Sequence, residues 1–452
     1  MNRLLVCCVV LLSLVGVWRA SRAAEPAGAL AAYVATADDS FGWVERRRGE
    51  LAQNAFVELT LTSQTWHDIV WKHQLFIVKP RRLRDPSRAL LLIGGGNWSD
   101  DLAAAPKDPQ SDLPREALLL ATLAGEIGAP VAVLLHVPQQ PIFNGMREDE
   151  IISYTFEQFL KTRDSSWPLL LPMVKSAVRG MDAVQQFAKQ EWQLDIERFT
   201  LTGASKRGWT TWLTSAVDRR VQALAPMVID VLNMGPQMKH QLATWGKFSE
   251  QIEDYTRRGI QDHNESTEGK SLRTIVDPYS YRESLVQPKL ILLGTNDRYW
   301  PLDSLNLYWD GLLGEKRVLY VPNQGHGLKD LERVVGSIAA FHRQAAGELE
   351  LADPSWDLVP VDGHLQLHLR SNVVPTQALA WVTTSATRDF RDAKWESTPV
   401  ELVDGTFRHD LALPRAGFAA MFGEVKFATD TLPYYLSTNV KIVGTDGLVE
   451  PK

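Results

Sequence analysis

Apolar positions along the chain follow two rhythms. Between about Leu51 and Glu348, short unbroken hydrophobic runs ("ALLLIGGG", "PVAVLLHVP", "RFTLTG", "VQALAPMVID", "PKLILLG", "KRVLYVP") alternate with stretches of helical composition ("REALLLATLAGEIG", "MVKSAVRGMDAVQQFAKQ", "RGWTTWLTSAV", "LERVVGSIAAFHRQAAG"). Continuous apolar runs are the mark of strands covered on both faces, and strands separated by helices join as parallel neighbours. The pattern predicts an α/β fold, a mostly parallel sheet with helices on both faces.

Residues 232–285 interrupt that alternation with a charged, helix-rich segment carrying Trp245, Phe248, Tyr255, Tyr279 and Tyr281. An insertion of this length between two strands is expected to lie over the sheet edge or the strand ends as a lid. Its aromatics either line a cleft or fasten the lid to the core. From about Val359 to Val443 the texture changes to short alternating segments such as "HLQLHLRS", "ALAWVTT" and "YYLSTNVKIV". These predict a small all-β sandwich at the C-terminus, with an α/β domain over 24–348 and the sandwich over 349–452.

The first 23 residues combine a basic Arg3, an apolar core from Leu4 to Trp18 and a small-x-small ending, Ser21-Arg22-Ala23. This is the pattern of a cleaved signal peptide, with an uncleaved anchor as the alternative because Arg19 and Arg22 crowd the cleavage site, so the chain is expected to be exported, to the periplasm or the extracellular space. The apolar run is shorter than the ~20 residues a spanning helix needs, and no later stretch looks membrane-spanning. Cys7 and Cys8 both fall within it, which removes disulfides, thiolate nucleophiles and cysteine metal sites from the mature chain. Losing its three arginines takes the formal net charge from −6 to −9, leaving no electrostatic case for nucleic acid. Nothing in the sequence fixes an oligomeric state.

The chemistry centres on "LTGASKRGWTTWL", where Ser205 sits between a strand and a helix with Gly203 two residues before it. A strand–turn–helix elbow exposes a serine oxygen as a nucleophile; the same junction also suits an ordinary helix N-cap. The spacing departs from GxSxG, since Arg207 occupies the second position after the serine and the glycine follows as Gly208. Downstream, the strand "KLILLG" leads to Asp297, and "RVLYVP" leads to His326 within Gly-His-Gly. The order Ser…Asp…His, each after a strand, is that of an α/β-hydrolase triad, with Asp303 and Asp230 as competing acids. Oxyanion donors are expected from the backbone at Lys206 and in the glycine loop at Gly95 and Gly96. Arg207, Asn97 and Trp300 are candidate substrate contacts. Lys206 and Arg207 could stabilise developing negative charge or recruit a carboxylate, or one of them could pair with an acid such as Asp182 or Glu191. These steps need no metal and no organic cofactor.

Several longer stretches, including "GASKRGWTTWL", "VLLHVPQQP", "EDEIISYTFEQFLKTRDSSWPLLLPMVKSAVRGMDAV", "DPYSYRESLVQPKLILLGTND" and "YVPNQGHGL", resemble the PhoPQ-activated pathogenicity-related protein family. The resemblance implies an α/β-hydrolase fold and supports Ser205, Asp297 and His326, without naming a substrate. Where that family has a GDEFF-like segment this chain reads "TNDRYW", so the aspartate stays and its neighbours differ. The elbow, with a cation after the serine and a glycine three residues on, is also similar to that of glucuronoyl esterases, which makes esters of sugar acids one candidate substrate. The expected function is thus an exported serine hydrolase cleaving a small-molecule, glycan or peptide ester, and less readily a peptide bond. The rival expectation is a binding or signalling protein on a vestigial scaffold.

Overall fold

Alternate residues of the central strands face opposite sides of one sheet, and each side is closed by its own helices. The computed structural model describes residues 26–108, 111 and 113–451; the expected signal segment and both cysteines lie outside them. The elements, in chain order, are α1 (Pro26–Ala35), β1 (Gly42–Leu51), β2 (Asn54–Trp66), β3 (Ile69–Lys79), β4 (Arg88–Ile93), α2 (Ala117–Ile127), β5 (Val131–Leu134), α3 (Glu148–Thr162), α4 (Leu170–Trp192), β6 (Arg198–Ala204), α5 (Lys206–Val217) and β7 (Val221–Met227). The lid segment contributes α6 (Met234–Trp245), α7 (Glu253–Thr256) and α8 (Thr267–Val276), and β8 (Lys289–Gly294), β9 (Lys316–Val321) and α9 (Leu331–Ala345) follow.

The sheet runs β1-β2-β3-β5-β4-β6-β7-β8-β9, antiparallel as far as the β3–β5 pair and parallel from β5 to β9. In β4, Ala89, Leu91 and Ile93 point to the face covered by α4 and α5, and Leu90 to the face covered by α2 and α9. In β8, Ile291 and Leu293 take the first side and Leu290 and Leu292 the second. This two-sided burial is why the parallel strands read as unbroken apolar runs. The order, with β4 between β5 and β6, is that of an α/β hydrolase. It sets the carboxyl ends of β6, β8 and β9 along one rim.

The C-terminal strands are β10 (Ser355–Val361), β11 (His364–Arg370), β12 (Gln377–Ser385), β13 (Glu396–Pro399), β14 (Glu401–Val403), β15 (Thr406–Ala412), β16 (Phe418–Phe427), β17 (Tyr434–Ser437), β18 (Lys441–Gly444) and β19 (Gly447–Val449). They form the expected sandwich, but one of its layers is continuous with the main sheet. β10-β11-β15-β14 make one layer, while β17-β16-β12-β13 extend the central sheet beyond β9. The junction is a bridge between Ser437 and Val318, reinforced by the Tyr320 N–H donating to Ser437 Oγ at 3.1 Å. Leu365, Leu367 and Leu369 of β11 share one buried cluster with Met421 and Val425 of β16. Period-two alternation reports which face of a strand is buried and not which strand lies beside it, so this edge-to-edge union left no mark in the pattern. Among the described residues no helix is long and apolar enough to cross a membrane.

Candidate active site

Ser205 follows directly on β6 with φ 57° and ψ −128°, a conformation that L-residues rarely adopt and that throws the side chain out of the turn. Although Ser205 stands at the N-cap position of α5, its side chain makes no cap hydrogen bond. The capping alternative therefore does not describe this serine. Close packing explains the glycines. A Cβ on Gly203 would lie 2.8 Å from Arg207 O, and one on Gly208 would lie 2.9 Å from both Gly203 O and Met227 O. The glycine is needed where the first turn of α5 presses on β6 and β7, and that position is 208. Position 207 points elsewhere and carries an arginine.

His326 lies in the loop after β9 and Asp297 in the loop after β8. Their contact, His326 Nδ1 to Asp297 Oδ2, is 2.8 Å. The other carboxylate oxygen of Asp297 accepts the Tyr299 N–H at 3.0 Å. A carboxylate on Nδ1 fixes the proton there and leaves Nε2 with a lone pair. His326 Nε2 is buried and has no hydrogen-bond partner among the described residues, so the Ser205–His326 bond is not made in this structure. Catalytic contacts of this kind are often long before a substrate tightens them. Ser205 and His326 line the same cleft, together with Lys206, Asp149, Tyr255, Tyr299 and Trp300. Tyr299 stacks on the imidazole with ring centroids 4.3 Å apart. The rival acids are engaged elsewhere: Asp303 with His240 at 2.7 Å, and Asp230 with the Tyr308 hydroxyl at 2.7 Å.

Asp230 is buried, and that burial first, with the nearby charges of Asp297 and Asp303, pushes its carboxyl up to about 8 against the Tyr308 hydrogen bond. A carboxyl raised from an ordinary value of 3.8 contributes stability that is whole below about pH 4 and is lost as pH rises through about 8. Asp230→Asn, which imitates the protonated acid, is expected to flatten the fall in unfolding free energy between about pH 4 and 8, measured by urea titration at each pH.

Among the other candidates, Trp300 lines the cleft, whereas Arg207 and Asn97 do not. Arg207 donates to Val137 O at 2.6 Å and forks onto Glu148 at 2.7 and 2.8 Å. Its guanidinium lies beneath Gly95, where a Cβ would stand 2.6 Å from Nη2. Gly96 has φ +120° and sits over His136, with a Cβ reaching 2.9 Å from Nδ1. The glycine loop is thus held down on Arg207 and His136, as a close-approach loop requires. Lys206 Nζ bridges Glu148 at 3.0 Å and Asp149 at 3.1 Å. The anionic partners of this pair are these α3 acids. Asp182 instead pairs with Arg179 and Arg220, and Glu191 with Arg48. The backbone N–H of Lys206 is at the start of α5, where intrahelical acceptors are lacking. Of the five lid aromatics, Tyr255 lines the cleft and donates to Asp149 at 2.9 Å.

Glu148 and Asp149 were not among the residues singled out from the sequence. A signal existed: three acids, Glu148, Asp149 and Glu150, open a helix whose buried face carries Ile151, Ile152, Phe156 and Phe159. Burial alone would raise the Glu148 carboxyl, but the Arg207 hydrogen bonds and the charges of Arg207 and Lys206 outweigh it and hold the group down at about 2. The stability it contributes is present above about pH 4.5 and is lost as pH falls through about 2. Glu148→Ala leaves two mostly buried cations with fewer partners. Because the Glu148 side chain is 38% exposed, the expected cost is about 2 kcal/mol, below that of a fully buried pair, and is measurable by denaturant unfolding.

Comparison with known proteins places these features in context. The sequence profile of the PhoPQ-activated pathogenicity-related proteins matches residues 30–391. Autocrine proliferation repressor protein A of Dictyostelium discoideum is 33% identical, with 87% of this chain and 85% of that protein covered. Among solved structures, an acetyl xylan esterase from a Thermoanaerobacterium species superposes with a TM-score of 0.45 at 15% identity, over 68% of this chain and 90% of that one. An acetyl xylan esterase from a Paenibacillus species does so with 0.46 at 14% identity, over 72% and 92%.

Proposed function

The chain belongs to the PhoPQ-activated pathogenicity-related protein family, and from that premise we propose that it is a serine hydrolase that cleaves esters through an acyl-enzyme on Ser205. The observation that carries this reading is the pairing of a half-buried, uncapped serine at φ 57° with a histidine whose Nδ1 is bound to Asp297 and whose Nε2, in the same cleft, has no partner among the described residues.

In this mechanism Ser205 Oγ attacks the ester carbonyl carbon as its proton passes to His326 Nε2. The carbonyl oxygen becomes an oxyanion held by the Lys206 N–H and by amides of the Gly95–Gly96 loop. Collapse re-forms the carbonyl and breaks the bond to the alcohol, which leaves with the proton from His326. Water then attacks the acyl group with His326 again as base, releasing the acid and restoring Ser205 Oγ–H. Asp297 keeps the imidazole in the tautomer this needs. Lys206 acts through its backbone, since its ammonium is engaged by Glu148 and Asp149. The N-terminal pattern at Arg3, Leu4–Trp18 and Ser21–Ala23 supports a place of action outside the cytoplasm.

Acid quench of the protein during turnover of an aryl ester tests the reading. The expected result is an acyl adduct on the peptide that contains Ser205. Turnover without an adduct, or an adduct on another residue, overturns it.

A further inference from the structure

The walls of the cleft are chemically lopsided. Phe156 of α3, Trp209 of α5, Ile229 after β7, and Met238, Ile252 and Leu272 of the lid segment present hydrocarbon toward the space beside Ser205. Trp209 is one turn beyond Ser205 on the same helix, its N–H bonded to Ser205 O at 3.0 Å. Several polar groups that share the lining are spent on one another, while Gln261 Oε1 is buried without a hydrogen-bond partner among the described residues. Lys206 is 3.1 Å from Asp149, Tyr255 donates to Asp149, and Arg273 donates to Asn264 Oδ1 at 2.9 Å. A sugar or sugar acid would bury hydroxyls and a carboxylate against aliphatic walls, and each polar group left unpaired there weakens binding. A hydrocarbon chain meets no such penalty, and the flexible Met234 and Met238 can mould to it. The lining extends from α3 and α5 across to the lid segment, more wall than an acetyl group reaches.

We propose, resting on the serine-hydrolase reading above, that the group transferred to Ser205 is an apolar medium-chain acyl group lodged between α3, α5 and the lid, in preference to a sugar acid or an acetyl group. Each methylene taken into the cleft in the transition state raises kcat/KM by about fourfold, the equivalent of about 0.8 kcal/mol.

The test uses the full chain with p-nitrophenyl acetate, butyrate and octanoate below their aggregation limits, and with a methyl glucuronate. The expected profile rises more than tenfold in kcat/KM from butyrate to octanoate, with the glucuronate ester poorest. A flat or falling profile, or preference for the glucuronate, overturns the proposal. Met238→Trp, which fills the cleft, is expected to lower the ratio of octanoate to acetate hydrolysis at least tenfold. Both rates come from one preparation, so loss of folded protein cancels, and an unchanged ratio also overturns the proposal. Fluorophosphonate labelling separates the two levels. Labelling of Ser205 with no chain-length preference sinks the acyl assignment alone, whereas absence of labelling sinks the serine-hydrolase reading and this inference with it.

Discussion

Ser205→Ala is expected to lower kcat toward an aryl ester by on the order of 10⁴-fold or more while leaving the unfolding midpoint where it was. Both halves of the result follow from one local fact. The Ser205 side chain makes no cap bond to α5, so removing Oγ takes nothing from the helix. An N-cap serine would behave oppositely, costing about 1 kcal/mol of stability on truncation and sparing activity. Alanine inherits the same φ of 57°, so the backbone strain of the elbow is unchanged. What disappears is the atom proposed to carry the acyl group, and the turnover expected to remain comes from oxyanion stabilisation and binding alone. Parallel measurement of steady-state hydrolysis and thermal unfolding on one preparation checks the pair of outcomes.

Asp297→Asn is expected to cost about as much, on the order of 10⁴-fold in kcat, without moving the histidine. In the native chain Asp297 Oδ2 lies 2.8 Å from His326 Nδ1 and cannot donate, so the imidazole places its proton on Nδ1. An asparagine amide can donate to Nδ1 instead, which leaves the proton on Nε2, where it blocks transfer from Ser205. The neighbouring acids provide the controls. Asp303 is bound by His240 at 2.7 Å and Arg388 at 3.3 Å, and Asp230 by Tyr308. Substituting either by asparagine alters folding stability without touching the Nδ1 contact. A loss of activity from Asp303→Asn that matches that of Asp297→Asn, in protein of native stability, would move the acid role to Asp303.

Much of this arrangement was legible in the chain because particular residues sit where two constraints coincide. The strands β4 to β9 announced themselves because both faces are buried, which forces runs such as Leu90–Ile93 and Leu290–Leu293 to be apolar throughout. Asp297 and His326 stood out because each follows such a run at a turn, where packing alone does not call for an ionisable side chain. Arg207 and Lys206 were harder to read. Their types suggested contact with an anion, but their partners, Glu148 and Asp149, are 59 and 57 positions away on α3 and are reached only through the tertiary fold. The lid aromatics were ambiguous for the same reason. Tyr255 reaches the cleft, whereas Trp245 lies under the Arg391 guanidinium and Tyr281 bonds to Ile275 O, and no local spacing distinguishes them. The union of β17 with β9 depends on an edge-to-edge pairing between segments more than a hundred residues apart, which alternation within either strand does not encode.

The most direct measurement is intact-mass analysis after exposure to a fluorophosphonate, on the wild-type chain, Ser205→Ala and His326→Ala. One phosphonyl group per wild-type chain, none on Ser205→Ala, and labelling slowed at least a hundredfold on His326→Ala are the expected outcomes. Equal labelling of all three would mean that the reactive group is not a serine activated by this histidine.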